Sequence, residues 1–345
     1  MRAFFYSLMT DKRKGKLLEP FKWLLYALSL VYGASLILRK LLYKFEVFKS
    51  EKVPLKVISV GNITLGGTGK TPFVISLARI MKDTFKREVA ILIRGYGWDE
   101  QAMLKTNLPD IPVLVGEDRV RSSHKAIRLY GSDTAILDDG FQYWLLERDL
   151  DIVLIDSRDP FGNGCLFPRG ILREPKDSLE RADIVVFTKV NKTLIDVAAA
   201  KTGLKGINDK LIFLEAVHRP KNIYDTKTKK ELALSALNGR RAMLLSSIGD
   251  PSYFEDTIKD LGVTIVEHIA FGDHHDYNES DVRQIMKRCS ERAFDFIVTT
   301  EKDFVKLNRM HFSFGSYQLM TLAVEMEITS GKELLVDRLH SLYNR

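Results

Sequence analysis

Glycines followed by a lysine and a threonine, Gly66-Gly-Thr-Gly-Lys-Thr71, form the stretch of this sequence best suited to chemistry. Glycines allow tight turns that present backbone N–H groups to an anion, a lysine reaches phosphate oxygens, and a hydroxyl ligates Mg²⁺. The usual pattern begins with a glycine where this chain has Thr64. We interpret the stretch as a phosphate-binding loop. Its predicted nucleotide contacts are Gly66, Gly67, Thr68, Gly69, Lys70 and Thr71.

The flanks of the loop support this interpretation. Val57, Ile58 and Val60 predict a buried strand before it, and apolar residues at helical spacing follow it from Phe73 to Met81. A flexible loop would account for the glycines, but not for Lys-Thr between a strand and a helix.

Two adjacent acids, Asp138 and Asp139, follow another apolar run at 134–137. Nucleotide-binding folds place the carboxylate that serves Mg²⁺ at such a strand end. Two acids there could also cap the next helix. With a phosphate loop upstream, we favour a role at the metal or its waters.

Phosphoryl transfer to a hydroxyl also needs a group that takes the proton and cations that steady the phosphate. Two of the seven histidines lie in the acidic segment Phe271-Gly-Asp-His-His-Asp-Tyr277, although such a segment is more often a turn or a helix cap. The candidates are Asp99, Glu100, His274 and His275, with Arg119, Arg158, Arg169 and Arg173 as cations.

The elements that must position these residues alternate between strand and helix. Apolar runs at 89–93, 112–115, 134–137, 151–155 and 184–187 predict strands of an α/β fold, a P-loop NTPase-like, doubly wound parallel sheet with its chemistry at the strand C-termini. Residues 211–224 are predicted to be a connection. A smaller α/β pattern follows at 242–318, then strand-like sequence at 318–328 and a closing helix at 331–343.

These patterns predict four segments. Residues 1–50 form an N-terminal membrane-associated helical segment, and 51–218 form the P-loop domain. Residues 219–328 form a second, smaller α/β domain with connecting strands, and 329–345 form a helix that packs back on the first domain.

The N-terminal segment is basic and apolar. Residues 1–52 hold 11 Lys and Arg against 4 Asp and Glu, whereas the rest of the chain holds 41 of each. From Phe21 to Leu38 the sole charge is Lys22, and Lys12, Arg13, Lys14 and Lys16 precede this stretch. We favour a helix in the interface of an anionic membrane over a true span or a helix docked on the protein's own core.

Charge and cysteine content exclude other classes. A nucleic-acid binder more often spreads basic charge over its folded surface, so no nucleic-acid partner is expected. Cys165 and Cys289 have no metal-type spacing and do not suggest a disulfide framework or a zinc site.

Several motifs together resemble the lipid A 4′-kinase (tetraacyldisaccharide 4′-kinase) family, in the family's order from about residue 55 to 310. They are Gly61-Asn62 with the phosphate loop, Arg94-Gly95-Tyr96, Asp138-Asp-Gly-Phe-Gln142, Phe161-Gly-Asn-Gly164, Leu172-Arg-Glu-Pro175, Asp273-His274 and Thr300-Glu-Lys-Asp303. The resemblance implies transfer of the γ-phosphate of ATP to the 4′-hydroxyl of tetraacyldisaccharide 1-phosphate. It also implies a place at the cytoplasmic face of the bacterial inner membrane, and we expect a monomer.

The resemblance also implies residue roles. Asp99 would be the base for the sugar hydroxyl, His274 would orient it, and Lys70 would act on the phosphates. Arg119 would address phosphate charge. The residues implied for Mg²⁺ and its waters are Thr71, Glu100, Asp138 and Asp139.

The chain departs from the family pattern in two places. Trp98-Asp-Glu-Gln101 stands where the family shows Gly-Asp-Glu-Pro, directly after Arg94-Gly-Tyr96, so a hairpin usual there is predicted to be missing. Arg169 is an additional cation in Pro168-Arg-Gly-Ile-Leu172, where the family more often has Pro-Ala-Gly-Pro-Leu.

Two other functions remain open at this point. Thr188-Lys-Val-Asn191 faintly resembles a guanine-reading motif, which would suit a membrane-docked GTPase or ATPase switch. An inactive relative that binds lipid without transferring phosphate is the other.

Overall fold

A computed structural model describes residues 7–11, 15, 18–95, 97–310 and 314–344. Lys12, Arg13, Lys14 and Lys16 of the predicted basic cluster and Tyr96 of the Arg94-Gly-Tyr96 motif lie outside the described residues. The helices are α1 Glu19–Lys44, α2 Lys70–Arg79, α3 Trp98–Asn107, α4 Arg119–Tyr130, α5 Val197–Lys205, α6 Pro251–Asp260, α7 Glu279–Ser290, α8 Glu301–Arg309 and α9 Lys332–Tyr343.

The strands alternate with these helices. They are β1 Lys56–Asn62, β2 Val89–Ile93, β3 Val113–Val115, β4 Thr134–Asp138, β5 Leu150–Asp156, β6 Ile184–Thr188, β7 Ile212–Asp225, β8 Glu231–Leu232, β9 Arg241–Ser246, β10 Thr264–Ala270, β11 Phe296–Thr300 and β12 Leu319–Ser330.

The chain divides into two compact units. The first unit comprises Met1–Gly95, Leu108–Val217 and Met326–Arg345, and the second comprises Tyr96–Asn107 and His218–Glu325. The segment that carries Asp99 is therefore grouped with the second unit, although it lies within the range 51–218 predicted for the P-loop domain. The C-terminal helix α9 is grouped with the first unit.

The first unit is built on a parallel sheet in the order β7-β6-β5-β1-β4-β2-β3. Strand order reverses at β1, which pairs with β4 on one side and β5 on the other. The central strands are mostly apolar and are buried except at Lys56, as expected where both faces of a parallel sheet are covered. The predicted doubly wound P-loop NTPase-like fold is confirmed.

The strands of the second unit also pair in parallel and form a smaller sheet region. Strand β11 pairs in parallel with β9 and β12, and β10 pairs in parallel with β9. Apolar side chains on the two faces of this sheet form separate clusters, one around Phe254 and Val298 and one around Ile285 and Ile297.

The prediction of a connection at 211–224 is wrong, because β7 occupies Ile212–Asp225. The sequence does not predict this strand, because it contains Pro220 and several charged residues. Burial varies along β7, because its first residues belong to the first unit and its last residues belong to the second.

Helix α1 has two different sides. Along one side Leu25 and Ser29 are buried, the Tyr32 hydroxyl donates to the Arg173 carbonyl over 2.8 Å, and Arg39 lies 3.5 Å from Glu174. The other side is apolar and exposed along its whole length. It carries Trp23, Leu24, Leu30, Val31, Ile37, Leu38, Leu41 and Phe45.

The length and mean hydropathy of α1, 26 residues and 1.6, would allow it to span a membrane. Its docked side, however, makes polar contacts with the first unit. One side of α1 therefore has the docked arrangement considered above, whereas its other, apolar side is exposed.

Candidate active site

The phosphate-binding loop lies in the first unit between β1 and α2. Gly69, with φ of 88°, forms the N-cap of α2, so Lys70 and Thr71 open the helix where its free N–H groups favour an anion. Asn62 donates to the Thr68 hydroxyl over 3.1 Å, and the Thr188 hydroxyl donates to the Thr68 carbonyl over 3.0 Å. These bonds fix the middle of the loop from the ends of β1 and β6, the two strands that flank β5.

Asp138 and Asp139 lie at the end of β4 and meet the start of α2. Parallel pairing of β1 and β4 places Asp138 opposite Val60, and the Thr71 hydroxyl donates to the Asp138 carboxylate over 3.2 Å. Lys70 Nζ lies 3.6 Å from the Asp139 carboxylate. The structure thus brings Lys70 and Thr71 together with Asp138 and Asp139.

Arg173, one of the candidate cations, holds Asp139 through both nitrogens of its guanidinium, at 2.6 and 3.0 Å, and donates to Asn62 over 2.9 Å. Burial alone would raise the pKa of the Asp139 carboxyl, but the charges of Lys70 and Arg173 outweigh it and hold this pKa well below its usual range. Asp139 is therefore ionised at neutral pH.

Arg119 opens helix α4, which Asp118 caps by accepting from Arg121 N. Its side chain is buried and lies over the Tyr143 ring, 4.9 Å from the centroid. Burial lowers the pKa of its guanidinium, against the charges of Tyr143 and Asp139. Its Nε finds no hydrogen-bond acceptor within the part of the chain that the structure describes.

The second unit holds the other predicted residues. Asp99 lies in the first turn of α3, is buried, and accepts from Glu100 N through Oδ1 over 3.0 Å. Its Oδ2 lies 3.3 Å from His274 Nδ1, and Glu100 lies 3.8 Å from His274 Nε2. The predicted acid–imidazole pair is therefore assembled within this unit.

Two lysines of helix α8 complete this cluster. Lys306 Nζ lies 3.2 Å and Lys302 Nζ 3.7 Å from Asp99 Oδ2. Burial would raise the pKa of the Asp99 carboxyl, but His274 and the two lysines outweigh it and hold this pKa well below its usual range. Contact with Asp99 raises the pKa of His274 above its usual value, against burial and the Lys302 charge.

The unusual residue Trp98 is accommodated within the second unit. Its indole N–H donates to Asp276 over 3.2 Å, and the Arg309 guanidinium lies 4.8 Å from its ring centroid. Gly97 before it has φ of 82°, and a Cβ there would lie 2.7 Å from Asp99 Oδ1. A glycine is thus required for the backbone to pass so close to the carboxylate.

Other candidates lie apart from these two clusters. His275 pairs with Asp281 over 2.8 Å at the start of α7 and stacks on Phe271, which is the helix-cap role considered for this segment. Arg169 binds both carboxylate oxygens of Asp11 at 3.0 Å and so ties the N-terminal segment to the first unit. Arg158 donates its backbone N–H to Asp156.

Sequence reasoning missed three contributors. Asn62 and Lys302 belong to motifs that carried the family resemblance, so the sequence marked both residues but did not indicate what either of them does. Lys306 stands outside those motifs, and its one signal is its place four residues after Lys302 on the same face of α8.

The predicted metal ligands fall into both units, with Thr71, Asp138 and Asp139 in the first and Glu100 in the second. Within the described ranges, no group of three His, Cys, Asp or Glu is arranged to hold a metal by itself. The hydroxyl and carboxylate oxygens of Thr71 and Asp138 are nonetheless the donors that Mg²⁺ takes beside substrate phosphates.

The fold and the loop define a P-loop nucleotide-binding protein. The model of the Tetraacyldisaccharide-1-P 4'-kinase family matches residues 21–98 and 98–343. The chain belongs to this family. The two matched parts meet at Trp98, where the sequence lacks the longer segment of the family pattern.

Curated relatives agree with this assignment. Tetraacyldisaccharide 4'-kinase of Syntrophus aciditrophicus is 41% identical over 85% of this chain and 86% of its own length. The enzyme of Elusimicrobium minutum is 36% identical over 90% of this chain and 89% of its own length. Family membership favours a kinase over the alternative of a GTPase or ATPase switch.

A solved structure is similar over most of the chain. The crystal structure of LpxK from Aquifex aeolicus in complex with ATP matches with a TM-score of 0.70 and 27% identity, covering 94% of this chain and 98% of that one.

Proposed function

We propose that this chain transfers the γ-phosphate of ATP to the 4′-hydroxyl of tetraacyldisaccharide 1-phosphate during lipid A biosynthesis. The observation that carries the proposal is the pairing of Asp99 with His274 in a chain that also has a phosphate loop opening a helix. A nucleotide switch would need the loop, but it would not need a buried carboxylate paired with an imidazole.

The first unit binds the nucleotide in this proposal. Backbone N–H groups from Gly66 to Thr71 hold the β-phosphate, and Lys70 reaches the β- and γ-phosphate oxygens once it leaves Asp139. Buried Arg119 supplies a further cation, and its Nε–H, which has no acceptor among the described residues, can donate to a phosphate oxygen.

The second unit acts on the acceptor. Asp99 accepts the proton of the 4′-hydroxyl as the oxygen bonds to phosphorus, and His274 orients Asp99. The lowered pKa of Asp99 keeps its carboxylate ionised at neutral pH, which is the form that can accept a proton.

Thr71 and Asp138 would hold Mg²⁺, with Asp139 and Glu100 serving its waters. When bound, the ion would neutralise part of the negative charge on the β- and γ-phosphates. The Thr71–Asp138 bond keeps these two oxygen donors together at the loop.

The exposed apolar side of α1 inserts into the cytoplasmic face of the inner membrane. Trp23, Val31, Leu38 and Phe45 recur on one stripe of the helix, which is the pattern of a helix lying in the plane of the interface. Flotation with anionic vesicles tests this arrangement. Leu38→Asp is expected to weaken binding, whereas Leu194→Asp, a change at another exposed leucine, is not.

The reaction is tested by incubating the protein with ATP and tetraacyldisaccharide 1-phosphate in mixed micelles and locating the added phosphate. We expect product phosphorylated at the 4′ position and no product without the lipid. Nucleotide hydrolysis without transfer would contradict the proposal and favour a switch. Lipid binding without either reaction would favour an inactive relative.

A further inference from the structure

Lys306 is a buried cation beside the carboxylate assigned as the base. Its side chain is 2% exposed, against 16% for Lys302 one turn earlier on α8. Lys306 Nζ lies 3.2 Å from Asp99 Oδ2 and donates to the Ser247 hydroxyl over 2.9 Å. Lys302 is divided between Asp99, Asp273 and His274, so Lys306 is the more committed partner of Asp99.

A buried polar network around Ser247 and Asp303 holds the Lys306 ammonium in place. The Ser247 hydroxyl donates to Asp303, whose carboxylate also accepts from Ser247 N over 2.9 Å and from the Thr300 hydroxyl over 2.7 Å. The Tyr277 hydroxyl donates to the same carboxylate over 3.2 Å. The position of Lys306 Nζ is thereby set by the residue that follows β9, the start of α8 and the loop before α7.

Removing two charges from water costs free energy, and the attraction between the charges seldom exceeds this cost. A buried ion pair is therefore weak evidence for a contribution to stability. Fixing one carboxylate oxygen in place is a better explanation for this pair. Asp99 is held on Oδ1 by the first turn of α3 and on Oδ2 by His274 and the lysines. Loss of one of these contacts would let the carboxylate turn about its side-chain bond.

We propose that Lys306 is a positioning residue for the kinase reaction, acting through Asp99 by holding its Oδ2 against the Ser247–Asp303 network. This inference rests on the proposed function, in which Asp99 takes the proton of the acceptor. A displacement of a reacting group by 1 Å can lower a rate by about 10²-fold.

The test measures kcat and both KM values for wild type, Lys306→Met, Lys306→Arg, Asp99→Asn and the double variant Asp99→Asn/Lys306→Met. Lys306→Met is expected to lower kcat by about 10²-fold with both KM values little changed, and Lys306→Arg to recover part of the loss. In the Asp99→Asn background the second change is expected to have no further effect, because Lys306 acts through Asp99.

Lys287→Met is the matched control, since it makes the same change at an exposed lysine of the second unit and should leave kcat unchanged. ATP binding and a melting curve for each variant show that it is folded. If Lys306→Met does not fold, Ser247→Ala replaces it, with an expected loss of about 10-fold in kcat that Asp99→Asn also removes.

Two results would overturn the role of Lys306. One is a kcat for Lys306→Met, or for folded Ser247→Ala in its place, equal to that of wild type. The other is an equal loss of kcat when Lys306→Met is introduced into wild type and into Asp99→Asn. Absence of transfer by wild type, or full transfer by Asp99→Asn, would instead overturn the proposed function or its base, and with it the role of Lys306.

Discussion

The phosphate loop of the first unit and the Asp99 cluster of the second are built by different means. The loop uses backbone N–H groups and the start of helix α2, so consecutive residues supply most of it. The cluster uses charged side chains from α3, the loop before α7, and α8, held together by contacts of 3.2 to 3.8 Å. A site made of backbone is robust to side-chain change, whereas a site made of opposed charges depends on every member.

The two regions also differ in how charge is compensated. Asp139 is half-exposed and is shared between Lys70 and Arg173, so a bound nucleotide can compete for these cations. Asp99 and Lys306 are both buried, so their pairing persists whatever binds. We therefore expect substitutions in the cluster to lower kcat, and substitutions in the loop to change nucleotide affinity as well.

The largest of these three effects is expected when the two adjacent histidines are replaced one at a time. His274→Asn should lower kcat by about 10²-fold because it removes the group that orients Asp99. His275→Asn should leave kcat nearly unchanged and cost about 1 kcal/mol of stability, because His275 supports the start of α7. Steady-state kinetics and denaturation of both variants check this. Equal losses of kcat would show that the whole loop, and not one imidazole, matters.

A smaller effect is expected from Arg173→Met. The change removes both bonds to Asp139 and the bond to Asn62, so Lys70 remains held by Asp139 and binds the nucleotide less readily. We expect a raised KM for ATP and a loss of about 2 kcal/mol in the free energy of unfolding. Arg121→Met, at an exposed position, is the control. A KM for ATP equal to that of wild type would argue against a link between Arg173 and the loop.

The smallest effect is a change in the pKa of His274, followed by NMR titration of its imidazole protons. Asp99→Asn should lower this pKa, because the contact that raises it is lost while burial and the Lys302 charge still act against protonation. Lys302→Met should raise it further. A pKa that does not fall in Asp99→Asn would mean that the acid–imidazole contact is absent in solution.

The same contrast explains what the sequence could reveal. The loop from Gly66 to Thr71, its strand and its helix were predictable because neighbours along the chain form them, and a parallel sheet then places Asp138 beside Thr71. The family resemblance supplied Asp99 and His274 as a pair. Spacing alone could not, because 174 positions separate them in the numbering.

Lys306 and the strand at 212–225 show where sequence reasoning ends. A lysine on a charged helix is usually solvated, and its burial follows from the packing of α8 against α3, which no local pattern encodes. Strand β7 contains a proline and five charged or histidine positions, and the strand that it pairs with first, β6, begins 28 residues earlier in the sequence. Both depend on tertiary contacts that override local preference.

The most direct test compares Lys70→Ala with Asp99→Asn for ATP binding and for phosphate transfer to tetraacyldisaccharide 1-phosphate. Lys70→Ala should lose transfer and bind ATP more weakly, because its ammonium contacts the phosphates. Asp99→Asn should transfer phosphate at a strongly reduced but measurable rate while it binds ATP as well as wild type does, because its proposed role is confined to the acceptor. Transfer by Asp99→Asn at the wild-type rate would contradict the assignment of the base, and unchanged ATP binding and transfer by Lys70→Ala would contradict the assignment of the loop.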